Sequence, residues 1–251
     1  MIKTERKGDV AVIELDRPPV NALNPQLIQA LDQGLADAVS DGARGIALVG
    51  GEKMFSAGLD VPVLLRLSRE EMTEFWSDFF GLIQRLATCP VPIAAGLTGH
   101  SPAGGAVLAI FCDYRVMSRG EFRIGLNEVQ VGLPVPDVIC LALARLVGAG
   151  TANRLLASGE MILPEEAHRV GMVDALADDP AATRAAAVEW ATQVAALPPV
   201  AVASTRRVVR ADLSALFKDV DRETCEAMSE VWFSDETQAA MHALVERLAA
   251  K

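Results

Sequence analysis

The chain has 251 residues, of which 51% are hydrophobic and 22% are charged, and its formal net charge is −10 at pH 7. This length and composition predict a globular domain with a sizeable core, and the longest apolar runs are too short to span a membrane. The acidic balance disfavours a nucleic-acid-binding protein, because such proteins present a basic surface to the phosphates.

The cysteines and histidines show no pattern that is typical of a metal site. The four cysteines are not spaced as metal ligands or as a redox pair, so we expect reduced thiols. The three histidines are far apart in the sequence, which disfavours a metal centre. The first fifteen residues lack a secretory or mitochondrial targeting pattern, and a cytoplasmic protein is expected.

The first residues predict a hairpin, a helix and a buried strand. Residues 2–5 and 9–15 alternate around a short turn and predict two paired strands. Asn24 followed by Pro25 is typical of a helix N-terminus, and the apolar face that follows runs towards Gly42. Residues 45–49 form a short continuous apolar run, which is typical of a strand covered on both faces.

The next segment continues the alternation of helices and strands. Ser68 and Glu71 have the spacing of a capping box, and the aromatic residues of the helix that follows predict core or interface packing. A buried strand at residues 91–97 leads to a helix that begins at Pro102, and strands follow near residues 114–117 and 122–124. This order predicts an α/β fold with a largely parallel sheet.

From Pro134 onward the sequence is almost wholly helical. The pair Pro198 and Pro199 predicts a boundary, followed by helices through Leu216 and from Ser234 to the end. These helices are too few to hold a core of their own, so we expect them to pack on the main body or on another subunit. Three arginines in this part, at helical spacing, predict a solvated face or a subunit contact: Arg206, Arg207 and Arg210.

One short motif is similar to a serine-hydrolase nucleophile elbow but lacks an essential donor. Ser101 lies between glycine and small residues, as the motif requires. In that motif the residue after the serine provides a backbone N–H to the oxyanion. Pro102 has no N–H, so Ser101 is interpreted as a turn hydroxyl.

Two glycine-containing loops after buried strands are better candidates for chemistry. They span residues 55–60 and 101–106, and the second enters a helix. Each turn exposes backbone N–H groups, and two such donors that converge form an oxyanion hole. Glycine also serves purely steric roles in strand-to-helix turns, so both interpretations stay open from spacing alone.

The chain resembles the crotonase (enoyl-CoA hydratase/isomerase) superfamily over essentially its whole length. The matching stretches are residues 15–24, 55–60, 99–113 and 125–128. Within the superfamily, residues 101–105, 112–115 and 125–128 are most similar to mitochondrial-type Δ3,Δ2-enoyl-CoA isomerases. The resemblance implies a crotonase-type ββα spiral at residues 1–197 that holds the acyl-CoA site. It also implies a C-terminal helical oligomerisation region at 198–251 and a homotrimer or a dimer of trimers.

The same resemblance implies the roles of individual residues. Glu128 matches the catalytic glutamate of the family, and Ala57 and Gly104 match the two oxyanion N–H donors. The expected substrate contacts are Val20, Ala22, Ser56, Gly58, Leu59, Asp60, Val107 and Asn127. From the residues alone, Glu128 is better interpreted as a solvated loop carboxylate, and Asp60 equally suits a helix N-cap.

Val107 indicates which reaction to expect. Hydratases of the family carry a second glutamate at this position, three residues after the oxyanion glycine. A single remaining carboxylate suits the transfer of a double bond, in which one group takes a proton from C2 and returns it to C4. An apolar Val107 is also expected to exclude water and raise the pKa of Glu128.

The expected function is therefore the isomerisation of 3-enoyl-CoA to 2-enoyl-CoA without a metal or a redox cofactor, coenzyme A being part of the substrate. Two alternatives remain. One is another crotonase-type reaction, such as hydration, dienoyl isomerisation or thioester hydrolysis, that uses a carboxylate from a distant part of the chain. The other is a non-catalytic acyl-CoA-binding protein that kept the two turns.

Overall fold

The computed structural model describes residues 1–249, in which strands and helices alternate through the first half of the chain. The strands are β1 (Ile2–Lys7), β2 (Val10–Leu15), β3 (Gly45–Val49), β4 (Ile93–Leu97), β5 (Ser101–Pro102), β6 (Tyr114–Ser118), β7 (Ile124–Gly125) and β8 (Ala175–Ala177). The helices are α1 (Pro25–Ser40), α2 (Val61–Leu64), α3 (Arg69–Thr88), α4 (Gly104–Ile110), α5 (Asp137–Val147), α6 (Ala149–Ser158), α7 (Pro164–Arg169), α8 (Pro180–Ala195), α9 (Pro199–Val209), α10 (Ala211–Ala215), α11 (Arg222–Trp232) and α12 (Asp235–Ala249).

A six-stranded sheet in the order β1-β2-β3-β4-β6-β8 forms the centre of the fold. β1 and β2 pair antiparallel as the predicted hairpin, and the other strand pairs of this sheet are parallel. β5 and β7 form a separate parallel pair. The predicted α/β architecture with a largely parallel sheet is confirmed.

Helices cover both faces of the central sheet. In β3, Ile46 and Leu48 belong to the main hydrophobic core, whereas Ala47 and Val49 belong to a smaller cluster under α8. Successive side chains of a strand point to opposite faces, so both faces of β3 are buried. This burial explains why residues 45–49 form a continuous apolar run.

The two long helices of the main core begin where local signals place them. The side chain of Asn24 accepts a hydrogen bond from the N–H of Leu27, and Pro25 opens α1. Ser68 and Glu71 form the predicted capping box at the start of α3. The aromatic side chains of α3 are buried in the core, as expected.

The helix predicted at Pro102 begins two residues later. Pro102 lies in β5, and the chain turns at Ala103, which has φ 45°, before α4 starts at Gly104. The backbone N–H of Ala103 donates to the carbonyl of Gly125, next to the pairing of β5 with β7. Helix α11 had not been predicted.

The predicted solvated face of arginines is wrong for two of its three residues. Arg206 and Arg210 are largely buried, and both pair with Asp113. Arg210 also donates to the carbonyls of Ala87 and Phe111, at the C-terminal ends of α3 and α4. Helix ends leave such carbonyls without intrahelical partners, so the arginine satisfies them.

The C-terminal helices pack on the main body. Phe217, Trp232 and Met241 belong to the same hydrophobic core as the strands and helices before residue 198. The last two residues of the predicted region 198–251 lie outside the described residues. Every helix within residues 1–249 is too short or too polar to cross a membrane.

Candidate active site

A cavity of about 520 Å³ lies between the loops that follow β2 and β3, the turn before α4 and the segment after β7. Parallel strands send the loops that follow them to one edge of a sheet, which brings these distant segments together. Seven of the eleven predicted site residues line the cavity: Val20, Ala22, Ala57, Leu59, Asp60, Asn127 and Glu128.

The loop at residues 55–60 is held by hydrogen bonds that use part of its backbone. Ser56 is fully buried, and its hydroxyl donates to the carbonyl of Asn21 and accepts from the N–H of Gly58. The N–H of Ala57 donates to the carbonyl of Val20 at 3.0 Å. The prediction of Ala57 as an oxyanion donor is therefore wrong, because its N–H already has an acceptor.

Two other backbone N–H groups beside this loop are unpaired. Within residues 1–249, the N–H groups of Leu59 and Gly104 have no hydrogen-bond acceptor. Gly58 lies between them with φ +80°, and a Cβ atom added there would lie 3.1 Å from the nitrogen of Gly104. Glycine permits both this conformation and the close approach of the two loops. The loops thus bring together two free donors, as an oxyanion hole requires.

The strained backbone of Ala103 leaves the N–H of Gly104 free. Ala103 has φ 45° and ψ −119°, a conformation that residues other than glycine rarely adopt. Gly104 follows as the first residue of α4, and the first N–H groups of a helix have no intrahelical acceptor. The turn therefore keeps this donor beside the cavity wall, to which Ala103 belongs.

Glu128 begins a 3-10 turn, Glu128–Val131, directly after the segment that follows β7. The residue is 8% exposed, and its Oε2 has no hydrogen-bond partner within residues 1–249. Burial raises the pKa of Glu128 from 4.5 to about 7, because desolvation disfavours the charged form. The alternative of a solvated loop carboxylate is wrong, and the raised pKa expected from the sequence is confirmed.

Asn127 brings a second unpaired acceptor to the same wall. Its side-chain Oδ1 is buried and has no hydrogen-bond partner within the described part of the chain. Buried polar atoms are nearly always paired in folded proteins, and exceptions are frequent at functional sites. Asn127 and Glu128 therefore mark the polar end of the cavity.

Asp60 is the other carboxylate of the cavity wall, and it is already engaged. Its Oδ2 pairs with Arg17, and its Oδ1 accepts from the N–H of Val63 and caps α2. Arg17 also donates to the carbonyl of Ala22. The N-cap interpretation of Asp60 is confirmed, and Glu128 is left as the unpaired carboxylate among the cavity residues described.

Three of the predicted substrate contacts lie behind the cavity wall. Ser56 and Gly58 hold the loop as described above. Val107 is 1% exposed and packs in the main hydrophobic core from within α4. These three residues support the cavity wall from behind, and none of them lines the cavity.

The sequence did not indicate that the C-terminal helix contributes to the site. Met241, Leu244 and Leu248 of α12 line the cavity together with Val131 and Leu133. Their spacing places the three α12 residues on one helix face, which signals a buried face without identifying what it covers. The site therefore extends beyond the predicted spiral at residues 1–197.

The charged and metal-ligating groups of the site are few. Among residues 1–249, no three His, Cys, Asp or Glu side chains cluster as ligands for a metal ion. Arg17 and Asp60 compensate one another at the cavity wall. The arrangement suits an apolar substrate with a carbonyl group, a proton to be moved and two backbone donors for the carbonyl oxygen.

Comparison with known proteins gives the family. The family described as enoyl-CoA hydratase/isomerase matches residues 5–251. Enoyl-CoA delta isomerase 1, mitochondrial, of Mus musculus is 31% identical over 256 residues, which cover 100% of this chain and 88% of that protein. The short-chain-enoyl-CoA hydratase of Clostridium acetobutylicum is 29% identical over 249 residues, which cover 97% of this chain and 94% of that protein.

A solved structure matches the fold over the whole chain. The crystal structure of human mitochondrial delta3-delta2-enoyl-CoA isomerase has a TM-score of 0.94 and 28% identity, and it covers 99% of this chain and 98% of that one. The predicted crotonase-type fold and the resemblance to mitochondrial-type isomerases are confirmed. The isomerase and the hydratase have similar sequence identity to this chain, so the comparisons identify the family and do not distinguish between the two reactions. The chain belongs to the enoyl-CoA hydratase/isomerase family.

Proposed function

We propose that the protein is a Δ3,Δ2-enoyl-CoA isomerase, which moves the double bond of a 3-enoyl-CoA to the 2-position. The observation that carries this proposal is the state of the two cavity carboxylates. Glu128 is buried and unpaired, whereas Asp60 is paired with Arg17. Moving a double bond needs one group that takes and returns a proton, whereas adding water benefits from two.

In the proposed reaction, Glu128 removes a proton from C2 of the substrate. The electron pair that remains delocalises over the thioester carbonyl and the double bond between C3 and C4, and it forms a dienolate. Glu128 then returns the proton to C4, which leaves the double bond between C2 and C3. The step exchanges no electrons with an acceptor and transfers no group, so the proposal includes no cofactor beyond the coenzyme A of the substrate.

The thioester oxygen is proposed to accept hydrogen bonds from the N–H groups of Leu59 and Gly104. Both groups lack an acceptor within residues 1–249, and Gly58 packs between them. Donors of this kind stabilise the charge that develops on the oxygen, each by about 3 kcal/mol of barrier. Leu59 is thus proposed to take the role that the resemblance had implied for Ala57.

The raised pKa of Glu128 supports both proton transfers. The first transfer needs the ionised form and the second needs the protonated form. With a pKa of about 7, both forms are accessible at neutral pH. A carboxyl with its ordinary pKa would be a weaker base towards C2.

Substrate binding, assembly and location complete the proposal. Val20, Ala22 and Asn127 are proposed to contact the acyl-CoA. A homotrimer or a dimer of trimers is proposed because α9 exposes apolar side chains, of which Val200 and Val208 are 78% and 68% exposed. The free thiols of the four cysteines suit the reducing cytoplasm.

Hydration is the second candidate function. The Clostridium acetobutylicum relative carries the name of a hydratase at 29% identity. In this chain hydration requires a second acid–base group, and Asp60 is the other carboxylate of the cavity wall among the residues described. Asp60 would have to leave Arg17 to fill that role.

The experiment that tests the proposal compares two substrates. Purified protein is assayed spectroscopically with 3-hexenoyl-CoA and with 2-hexenoyl-CoA, beside the Glu128→Gln variant. Formation of 2-hexenoyl-CoA without hydration, lost in the variant, supports the isomerase. Rapid loss of the 2-enoyl chromophore supports a hydratase, and binding without turnover of either substrate supports a non-catalytic acyl-CoA-binding protein.

A further inference from the structure

A buried hydroxyl connects α12 to the turn that carries Glu128. Thr237 is 1% exposed, and its hydroxyl donates to the carbonyl of Gly132 at 2.7 Å. Gly132, with φ +71°, ends the 3-10 turn that Glu128 begins, and the next N–H, of Leu133, donates to the carbonyl of Glu128. Thr237 therefore holds the residue that closes the turn.

Thr237 is itself fixed at the start of α12. Its N–H donates to the hydroxyl of Ser234 at 3.3 Å, and the Ser234 hydroxyl donates to its Oγ1 at 3.1 Å. A Cβ atom added to Gly132 would lie 3.4 Å from the Cα of Thr237, so the helix and the turn are in direct contact. The contact joins segments 105 residues apart.

The position of Thr237 also determines what the rest of α12 covers. Met241, Leu244 and Leu248 follow it by four, seven and eleven residues, which places all four on one helix face. The three apolar residues line the cavity that contains Glu128. A helix that is fixed at Thr237 therefore lays an apolar surface over the site, whereas a displaced helix would admit water.

We propose that Thr237 is a positioning residue: its hydroxyl docks α12 on the turn of Glu128, so that the apolar face of the helix shields the carboxyl from water. The kinetic consequence of this inference rests on the proposed isomerase function, whereas the shielding itself does not. The role differs from that of a cavity residue, because Thr237 acts through Gly132 and through the placement of its helix.

The electrostatic surroundings of Glu128 make the shielding measurable. Burial is the cause that raises its pKa to about 7. Among the described residues of the cavity wall, the other charged groups are Arg17 and Asp60, which pair with each other. No charged residue of α6 or α12 lines the described cavity wall. Burial raises the thiol pKa of Cys140 in α5, and the nearby charges of Asp137 and Glu128 raise it further. A lower pKa of Glu128 in a Thr237 variant would thus report the entry of water.

The test measures this pKa directly by carbon-13 NMR of the glutamate carboxyl groups. The signal of Glu128 is assigned by its absence from Glu128→Gln. In Thr237→Val, which removes the hydroxyl and keeps the branched shape, we expect the pKa to fall from about 7 towards 4.5. Thr237→Ser keeps the hydroxyl and is expected to keep the pKa. Thr192→Val, which removes an exposed threonine hydroxyl from α8, is the matched control.

The pH dependence of kcat provides a second measurement of the change in the pKa of Glu128. Because the ionised carboxyl is the base, the acid limb of the kcat profile should move to lower pH in Thr237→Val. The plateau of kcat should fall about tenfold, since a less basic carboxylate removes the C2 proton more slowly.

An unchanged carboxyl pKa in a folded Thr237→Val protein would overturn the inference, and so would an equal fall in Thr237→Ser. If Thr237→Val does not fold, Leu244→Ala decides, because it opens the same apolar surface and leaves the tether in place. A constant pKa in Leu244→Ala overturns the shielding. A protein without isomerase activity whose pKa responds as expected refutes the proposed function and leaves the positioning role intact.

Discussion

Replacing Glu128 by glutamine is expected to stabilise the folded protein at alkaline pH while it removes the proposed activity. In the folded state the pKa of Glu128 is about 7, above the ordinary value of 4.5. Because the folded state holds this proton more tightly than the unfolded state, the contribution of Glu128 to stability is fully present below pH 4.5. It is lost as the pH rises through about 7. One pKa unit corresponds to about 1.4 kcal/mol, so the interval from 4.5 to about 7 corresponds to a loss of about 3 kcal/mol in the free energy of unfolding.

Glutamine has nearly the same shape and cannot ionise, so Glu128→Gln avoids this loss. We expect the variant to exceed the original protein by about 3 kcal/mol at pH 8.5, and most of this difference should disappear at pH 4.5. Urea denaturation at the two pH values measures it, at one protein concentration because assembly also affects stability. Glu121→Gln, at an exposed position, is the control and should show no such gain at pH 8.5.

Two results would refute this reasoning. Equal stability of Glu128→Gln and the original protein at pH 8.5 would mean that the carboxylate is solvated in the folded state. A gain of the same size at pH 8.5 and pH 4.5 would mean that glutamine acts through packing or hydrogen bonding and not through the lost charge. Either result would remove the basis for a base with a pKa near neutrality.

Three further substitutions test other parts of the site and the fold. Gly58→Ala should lower kcat about a hundredfold in steady-state assays, because a side chain is strained at φ +80° and a methyl group 3.1 Å from the Gly104 nitrogen would displace the donor. An unchanged kcat would contradict the proposed oxyanion donors. Arg210→Met should lower the free energy of unfolding by about 3 kcal/mol in urea titrations, because it leaves Asp113 and the ends of two helices short of a donor; the exposed Arg207→Met is the control. Asp60→Asn should retain isomerase activity, and a loss of about a hundredfold would instead indicate a second acid–base group.

Local sequence signals predicted the helix starts at which the capping side chain lies close in sequence to the N–H group that donates to it. Asn24 and Ser68 accept from N–H groups three residues later, so their role depends on a few neighbours. Pro102 has the residue type of a helix start, yet it lies in β5. The pairing of β5 with β7 joins segments more than twenty residues apart, and local composition does not encode that contact.

The same limit explains the error at the oxyanion loop. Every residue except proline brings one backbone N–H, so residue type does not distinguish Ala57 from Leu59. The difference is the carbonyl of Val20, which accepts the N–H of Ala57 and leaves that of Leu59 unpaired. The burial of Arg210 likewise depends on Asp113, a residue 97 positions earlier in the chain. The roles of Leu59 and Arg210 therefore follow from contacts in the folded chain and not from residue type.

The burial of Glu128 has a consequence for the C-terminal region. An unpaired carboxyl in an apolar cavity lowers stability at neutral pH, so its shield has to be held by contacts elsewhere. Met241 and Leu244 provide that shield within one chain, and a subunit contact that displaced them would expose the carboxyl to water. A trimer built through residues 198–249 is therefore expected to use other surfaces. The exposed valines of α9 are the best placed, because Val200, Val208 and Val209 are 61% to 78% exposed within the single chain.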